Sequence, residues 1–162
     1  ILAVNTLLMQ LFTLFSYVMD GFAYAGEALS GRYIGARNRE AFTDTVRHLF
    51  GWGAVMAVLF TLTYALGGNA FLGLLTDDKE VIAVADTYFY WALAVPAVGI
   101  AAFIWDGIFI GATATRGMLL SMTAAAVSFF VLYYGLHPVL ANHALWLAFL
   151  TLSLIHIPSP RD

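Results

Sequence analysis

Hydrophobic residues along this chain form five long blocks that are separated by short polar or charged segments. A block of ~20 apolar residues is long enough to cross a bilayer as an α-helix. The pattern predicts spanning helices over residues 1–31, 49–66, 83–110 and 117–136, and a fifth that begins near Asn142. The Gly-Gly-Asn segment at 67–69 and His137-Pro138 are predicted to end the second and fourth spans, and Pro96 is predicted to kink the third. The expected fold class is therefore an all-α, polytopic membrane helix bundle.

Basic residues are distributed unequally over the segments between these spans. The segments after the first and third spans contain Arg32, Arg37, Arg39, Arg47 and Arg116. The other segments contain one basic residue, Lys79, within the acidic run 77–80. Because cytoplasmic loops of membrane proteins carry an excess of Lys and Arg, we expect the Arg-rich loop 32–47 to be cytoplasmic. The first and third spans then run from outside to inside.

Glycines recur at helical spacing in this pattern. Gly31 and Gly35 are four residues apart, as are Gly107 and Gly111. Small residues at this spacing allow the backbones of membrane helices to approach closely. The spacing predicts close helix packing and by itself indicates no function.

Two carboxylates lie on the first span, which carries no charged side chain before Asp20. An aspartate at the centre of a membrane helix costs ~2.5–3.5 kcal/mol, so such residues usually face a bundle interior or a water-filled path. Asp20 and Glu27 are seven residues apart and lie almost on one face of a helix. The same stripe contains Asn5, Met9, Ser16 and Ala23. We predict that this stripe moves ions or substrates, with a position near the aqueous end as the alternative for Glu27.

A third carboxylate, Asp106, lies near the inner end of the third span and is followed by Gly107. Since the first and third spans are predicted to run in the same direction, Asp20 and Asp106 are expected at similar depth. The alternative is that Asp106 pairs with Arg116 or caps a helix break at Gly107.

Two carboxylates at one depth offer a site for a coupling ion. Burial favours the neutral form of a carboxylic acid, and a second carboxylate nearby strengthens this preference. Asp20 and Asp106 can therefore exchange a proton, or bind Na⁺ together with oxygen atoms of Asn5 or Ser16. The sequence does not select between H⁺ and Na⁺.

The composition supports a membrane protein and excludes several other classes. The chain is 62% hydrophobic and 10% charged with a mean hydropathy of +0.85, whereas ordinary soluble domains carry ~25% charged residues. It has no cysteine, and no basic tract predicts a nucleic-acid partner. It also lacks the metal-hydrolase, nucleophile-elbow and phosphate-loop motifs, so we expect neither an enzyme nor a metal site. We expect membrane lipid to surround the protein.

Three segments carry longer patterns. The first is residues 3–37, which contains AVNTLL at 3–8 and MDGFAYAGEALSGRYIGAR at 19–37. The second is DGIFIGATATR at residues 106–116, and the third is NHALWLA at residues 142–148. Together they resemble the multidrug and toxic compound extrusion (MATE) family, and most closely its DinF branch.

The resemblance implies a twelve-helix transporter with two six-helix lobes, of which residues 1–151 would form helices eight to twelve in the C-terminal lobe. It implies a secondary antiporter of the inner (plasma) membrane that exports small organic, often cationic compounds in exchange for H⁺ or Na⁺. Carboxylates of the C-terminal lobe take part in some members, and this extends here to Asp20, Glu27 and Asp106. The N-terminal lobe, with its own acidic coupling residue, would be a partner absent from this chain. No cofactor beyond the coupling ion is expected.

Both ends of the chain look artificial. Ile1 begins within an apolar pattern, and residues 152–162 look like translated sequencing adapter. We therefore expect a fragment of a longer protein that does not transport alone. Two other functions stay open, a lipid-linked saccharide flippase of the same superfold and a structural membrane subunit. A membrane enzyme would need a nucleophile, a metal cluster or a phosphate site, and the sequence shows none. A flippase would favour a cavity lined by Arg or Lys, and a structural subunit would not need Asp20 and Asp106.

Overall fold

The computed structural model describes residues 1–155, without the side chain of Asn69, and these residues form five α-helices. They are α1 (Leu2–Gly35), α2 (Arg39–Leu75), α3 (Lys79–Gly111), α4 (Thr115–Leu140) and α5 (Asn142–Ile155). Within this described part, α1 to α4 are long and apolar enough to cross a membrane, and the 14 residues of α5 form a shorter apolar helix. The all-α membrane bundle predicted from the sequence is therefore confirmed.

Several predicted helix ends were wrong. α2 continues through residues 67–69 to Leu75, and α4 continues through Pro138 to Leu140. α3 contains the buried Pro96 within its length, and the kink expected there stays a prediction. A glycine costs a helix only ~1 kcal/mol relative to alanine, and Pro138 lies two residues before the end of α4, so neither had to end its helix. The fifth helix begins at Asn142 as predicted, and residues 156–162 of the suspected tail lie outside the described residues.

The predicted loop 32–48 is largely helical. α1 and α2 extend into it and leave only the turn Ala36–Asn38 between them. The turn 112–114 between α3 and α4 has a similar form, because Arg37 and Thr113 adopt φ values of 54° and 55°. At the turn before α3, the Asp78 carboxylate accepts hydrogen bonds from backbone N–H groups at the start of the helix. Such an N-terminal cap also places negative charge where the helix dipole favours it.

α1 and α3 are parallel and form the closest helix pair. A Cβ atom built on Gly107 would overlap the carbonyl oxygen of Ala23, and one built on Gly111 would overlap that of Glu27. The close approach predicted for this glycine pair is confirmed. In the other predicted pair, Gly31 faces the backbone of Gly111, whereas an added Cβ at Gly35 would meet no atom within 4 Å.

This parallel packing places the arginines of both turns at one end of the bundle. The C-terminal end of α1 lies beside that of α3, since Gly31 contacts Gly111. Arg32 and Arg37 therefore share an end with Arg116, which lies at the start of α4. We call this the basic end, and we call the opposite end, with the turn 76–78, the acidic end.

Side chains of α1, α2 and α3 form most of the buried core. One apolar cluster lies toward the acidic end around Leu8, Leu11 and Tyr64, and a second lies around Phe15, Met19 and Ile104. α4 packs chiefly on α5. Many large apolar side chains of α2 and α4 are exposed, as expected for surfaces that contact lipid or further helices.

Candidate functional site: a carboxylate in an apolar cavity

Asp106 of α3 lines a cavity between α1, α3, α4 and α5. The cavity measures about 340 Å³, which is within the range of small-molecule sites. Its lining comprises Phe12, Ala102, Phe103, Asp106, Met122, Ala125, Ala126 and Phe149, together with Leu152 and Ser153 of the suspected tail. Asp106 is the one charged residue among these ten, and the rest are mostly aromatic, aliphatic or small. We call this space the Asp106 cavity.

Aromatic side chains from three helices form one wall of the Asp106 cavity. The ring of Phe12 lies 5.1 Å from that of Phe149 in an edge-to-face arrangement and 6.3 Å from that of Phe103. Phe103 also contacts Phe15 edge-to-face at 6.0 Å, which connects this wall to the buried core. Edge-to-face contacts between aromatic rings stabilise the packing beyond the burial of apolar area, and they restrict how the rings can be placed. This wall can contact the apolar part of a ligand.

Asp20 lies on α1 at nearly the depth of Asp106. Ala23 lies at the same depth in the bundle as Gly107, and Glu27 lies at the same depth as Gly111. Asp106 directly precedes Gly107, so its depth differs from that of Asp20 by less than one helical turn. Phe12, Ser16 and Asp20 follow one another at four-residue spacing and share a face of α1. Phe12 lines the Asp106 cavity. Asp20 lies on the same face of α1, about two turns beyond Phe12. Asp20 is itself half-buried and is not among the lining residues.

Glu27 lies near the basic end. It is level with Gly111, the last residue of α3, and its side chain is half-buried. About two turns separate Glu27 from Asp20 on α1. This placement separates Glu27 from the cavity and puts it close to the turns that carry the arginines.

Ser16 lies one turn from Asp20. Its hydroxyl group donates a hydrogen bond of 2.8 Å to the carbonyl oxygen of Thr13, and the side chain is half-buried. A hydroxyl oxygen that donates to the backbone retains lone pairs that can accept. Ser16 therefore keeps the capacity to contact a group held between Phe12 and Asp20.

Asn5 lies far from the carboxylates. Fifteen residues separate it from Asp20, which is ~22 Å along a helix. Its Nδ2 atom donates to Oδ1 of Asn142 at 2.7 Å, while its Oδ1 accepts from Nδ2 of Asn142 at 2.9 Å and from Nε1 of Trp146 at 3.1 Å. Asn5 therefore joins α1 to α5, and it cannot share an ion with Asp20 in this structure.

Sequence reasoning missed the aromatic wall. Phe12 was not singled out, although it lies one turn before Ser16 and two turns before Asp20, and this spacing was the available signal. Phe149 and Met122 could not be found in this way, because their place in the lining depends on how α4 and α5 pack against α3.

The fold and this cavity define a multi-pass α-helical membrane protein. Residues 1–139 match the MatE family model, and the chain belongs to that family. Over 148 residues it is 43% identical to DNA damage-inducible protein F of Escherichia coli (strain K12), an alignment that covers 91% of this chain and 32% of that protein. The resemblance drawn from the sequence motifs is thus confirmed. The chain spans about a third of the length of this curated relative. No solved structure matches the chain.

Proposed function

We propose that the full-length protein represented by this chain is a secondary active efflux antiporter of the inner membrane, which exports organic, often cationic compounds in exchange for H⁺ or Na⁺. The observation that carries the proposal is the carboxylate of Asp106 in an otherwise apolar cavity of about 340 Å³. Membership of the MatE family and the similarity to DNA damage-inducible protein F support it.

The chemistry of the Asp106 cavity fits a ligand that is both cationic and apolar. The aromatic wall offers contact area and π faces that attract organic cations. A carboxylate in apolar surroundings gains stability from a counterion or a proton. Substrate, H⁺ and Na⁺ therefore compete for the negative charge of Asp106. The lining contains no Arg or Lys, which disfavours an anionic saccharide-lipid substrate.

Asp20 would extend this site along α1. A second carboxylate at similar depth lets one group hold a proton while the other holds the substrate or a metal cation. Ser16 would supply a hydroxyl oxygen between Phe12 and Asp20. Glu27 would lie nearer the opening at the basic end, and Asn5 would act by holding α1 against α5.

Alternating access would need the part of the protein that this chain lacks. In transporters built from repeated lobes, the substrate site lies between the lobes and the lobes rock about it. The missing N-terminal lobe would cover the exposed apolar faces that do not meet lipid. The basic end would face the cytoplasm according to the placement of its arginines.

Transport by the full-length protein in proteoliposomes tests this function. We expect uptake of a lipophilic cation such as tetraphenylphosphonium into inverted vesicles when a pH or Na⁺ gradient is imposed, and none without a gradient. Asp20→Asn is expected to slow the driven flux, whereas this chain alone is expected to give none. Equal flux with and without both gradients would contradict ion coupling.

A further inference from the structure

The first turn of α5 contains two neighbouring polar residues that contact different helices. Asn142 pairs with Asn5 of α1, as described above, while His143 contacts α3. The Nδ1 atom of His143 lies 2.9 Å from the hydroxyl oxygen of Tyr90 and 3.1 Å from Nε1 of Trp91. Side-chain hydrogen bonds thus hold the start of α5 against both α1 and α3.

The two partners of His143 fix its protonation state in this arrangement. The indole Nε1–H of a tryptophan can only donate a hydrogen bond. Nδ1 of His143 must therefore accept from Trp91, so the imidazole ring is neutral and carries its proton on Nε2. A protonated imidazole bears N–H groups on both nitrogens. Its Nδ1–H would face the N–H of Trp91, and two donors repel each other. The hydroxyl group of Tyr90 can rotate to accept instead, whereas Trp91 cannot.

We propose that His143 is a proton-binding site whose protonation releases the start of α5 from Trp91 of α3. Neutral His143 keeps the contact, and protonated His143 breaks it. Histidine suits this task because its charge changes between about pH 5 and pH 8. The site is separate from the Asp106 cavity, since His143 is not among the lining residues. The proposal concerns the packing of α5 and does not depend on which ion or substrate the protein transports.

Other titratable groups also lie at this end of the bundle. From α3, the ring of Tyr88 lies 4.7 Å from that of His143, and the exposed Asp86 lies one turn before Tyr90. From α4, Tyr133 and His137 line a cavity that Asn142 also lines, and that lining contains no carboxylate.

His137 is the useful comparison among these groups. It is a second histidine at the same end, and its ring lies 5.1 Å from that of Tyr133, its neighbour on α4. His137 therefore lies at the same end of the bundle without the contact between α5 and α3 that His143 makes through Trp91. Replacing it should leave the response of the α5 start to acid unchanged.

Hydrogen–deuterium exchange of the full-length protein in nanodiscs tests the proposal. We expect exchange of the segment 141–150, corrected for the intrinsic effect of pH, to rise roughly threefold or more between pH 8 and pH 5, because the Trp91 N–H loses its acceptor even though Tyr90 can still accept from Nδ1. His143→Asn retains an acceptor oxygen near the position of Nδ1 but does not titrate, so its exchange should not change with pH. His137→Asn should behave as wild type does. Equal responses of wild type and His143→Asn would overturn the proposal.

A second measurement on the unmodified protein covers the case in which a variant fails to fold. In protein labelled with ¹⁵N-histidine, the tautomer of His143 can be read from its two ring-nitrogen resonances. These are assigned by their loss in His143→Phe or, if that variant does not fold, by their shift in Trp91→Phe. At pH 8 we expect an unprotonated Nδ1 and a protonated Nε2, with protonation of Nδ1 accompanying the exchange increase on acidification. A proton on Nδ1 at pH 8 would overturn the proposal.

Discussion

Gly107 of α3 lies directly against the backbone carbonyl of Ala23 in α1, with no space for a side chain between them. This contact sets the register of the two helices. With Gly107 level with Ala23, Asp106 and Asp20 come within about one turn of the same depth. A packing feature of two small residues thus determines where the carboxylates of the candidate site lie relative to each other.

Replacing Gly107 with alanine should destabilise the bundle. The added Cβ would overlap the Ala23 carbonyl oxygen, and overpacking of this kind typically costs ~1–3 kcal/mol. We expect Gly107→Ala to lower the Tm of the full-length protein in detergent. Gly21→Ala on α1 is the control, because a Cβ there meets no atom within 4 Å. An unchanged Tm for Gly107→Ala would show that the helices are not packed this closely.

The connection between α1 and α5 through Asn5 makes a separate prediction. Asn5→Ala removes the side-chain oxygen that accepts a hydrogen bond from the buried Trp146 N–H. It also removes the two groups that bond to the side-chain amide of Asn142. A buried polar group that loses its partner costs ~1–3 kcal/mol. Thermal unfolding should show a clear loss for Asn5→Ala and little change for Gln10→Ala, which removes an exposed polar side chain from the same helix. Comparable losses in both variants would mean that this hydrogen-bonded connection is not formed.

Tyr64 provides a similar test for α1 and α2. Its buried hydroxyl group donates a hydrogen bond of 2.7 Å to the carbonyl oxygen of Leu11. Tyr64→Phe should lower the free energy of unfolding by ~0.5–1.5 kcal/mol, the usual net value of one such bond. Tyr17→Phe removes a hydroxyl from a tyrosine that is 72% exposed and should have no measurable effect. Denaturation of both variants in mixed micelles distinguishes them, and equal stability would contradict the contact.

Filling the Asp106 cavity should block ligand binding. Ala124 and Ala126 of α4 are both exposed, but only Ala126 lines the cavity. We expect Ala126→Trp to raise the Kd of the full-length protein for tetraphenylphosphonium roughly tenfold or more, equivalent to ~1.4 kcal/mol. Ala124→Trp should bind as wild type does in equilibrium dialysis. Unaltered binding by Ala126→Trp would place the ligand elsewhere.

The sequence predicted the class of fold well because apolar blocks of spanning length leave few alternatives. It also predicted the close approach at Gly107 and Gly111, and the parallel direction of α1 and α3. It placed helix ends wrongly at residues 67–69 and at Pro138. The small cost of a glycine within a helix is outweighed by the apolar residues that follow it in α2, and a proline in the last turn of α4 leaves the helix intact up to Leu140.

Asp106 is the lining residue of the cavity that the sequence singled out, because a carboxylate within an apolar span is conspicuous on any one helix. Asp20, Ser16 and Glu27 follow from the periodicity of α1 but are not among the lining residues, and their part in the site stays a prediction. Asn5 has the same periodicity, yet its amide group is occupied by Asn142 and Trp146 of α5. Helical periodicity gives the face of a residue but not the helix that packs against that face. For the same reason, the contacts of α4 and α5 around Asp106 could not be predicted.

The central claim is that the charge of Asp106 couples an ion to substrate movement, and one substitution tests it most directly. In proteoliposomes containing the full-length protein, Asp106→Asn should reduce gradient-driven flux of tetraphenylphosphonium roughly tenfold or more, equivalent to ~1.4 kcal/mol. Asp86→Asn changes an exposed carboxylate of the same helix α3 and should retain wild-type flux. Wild-type flux in Asp106→Asn, with the pH or Na⁺ dependence unchanged, would contradict the account.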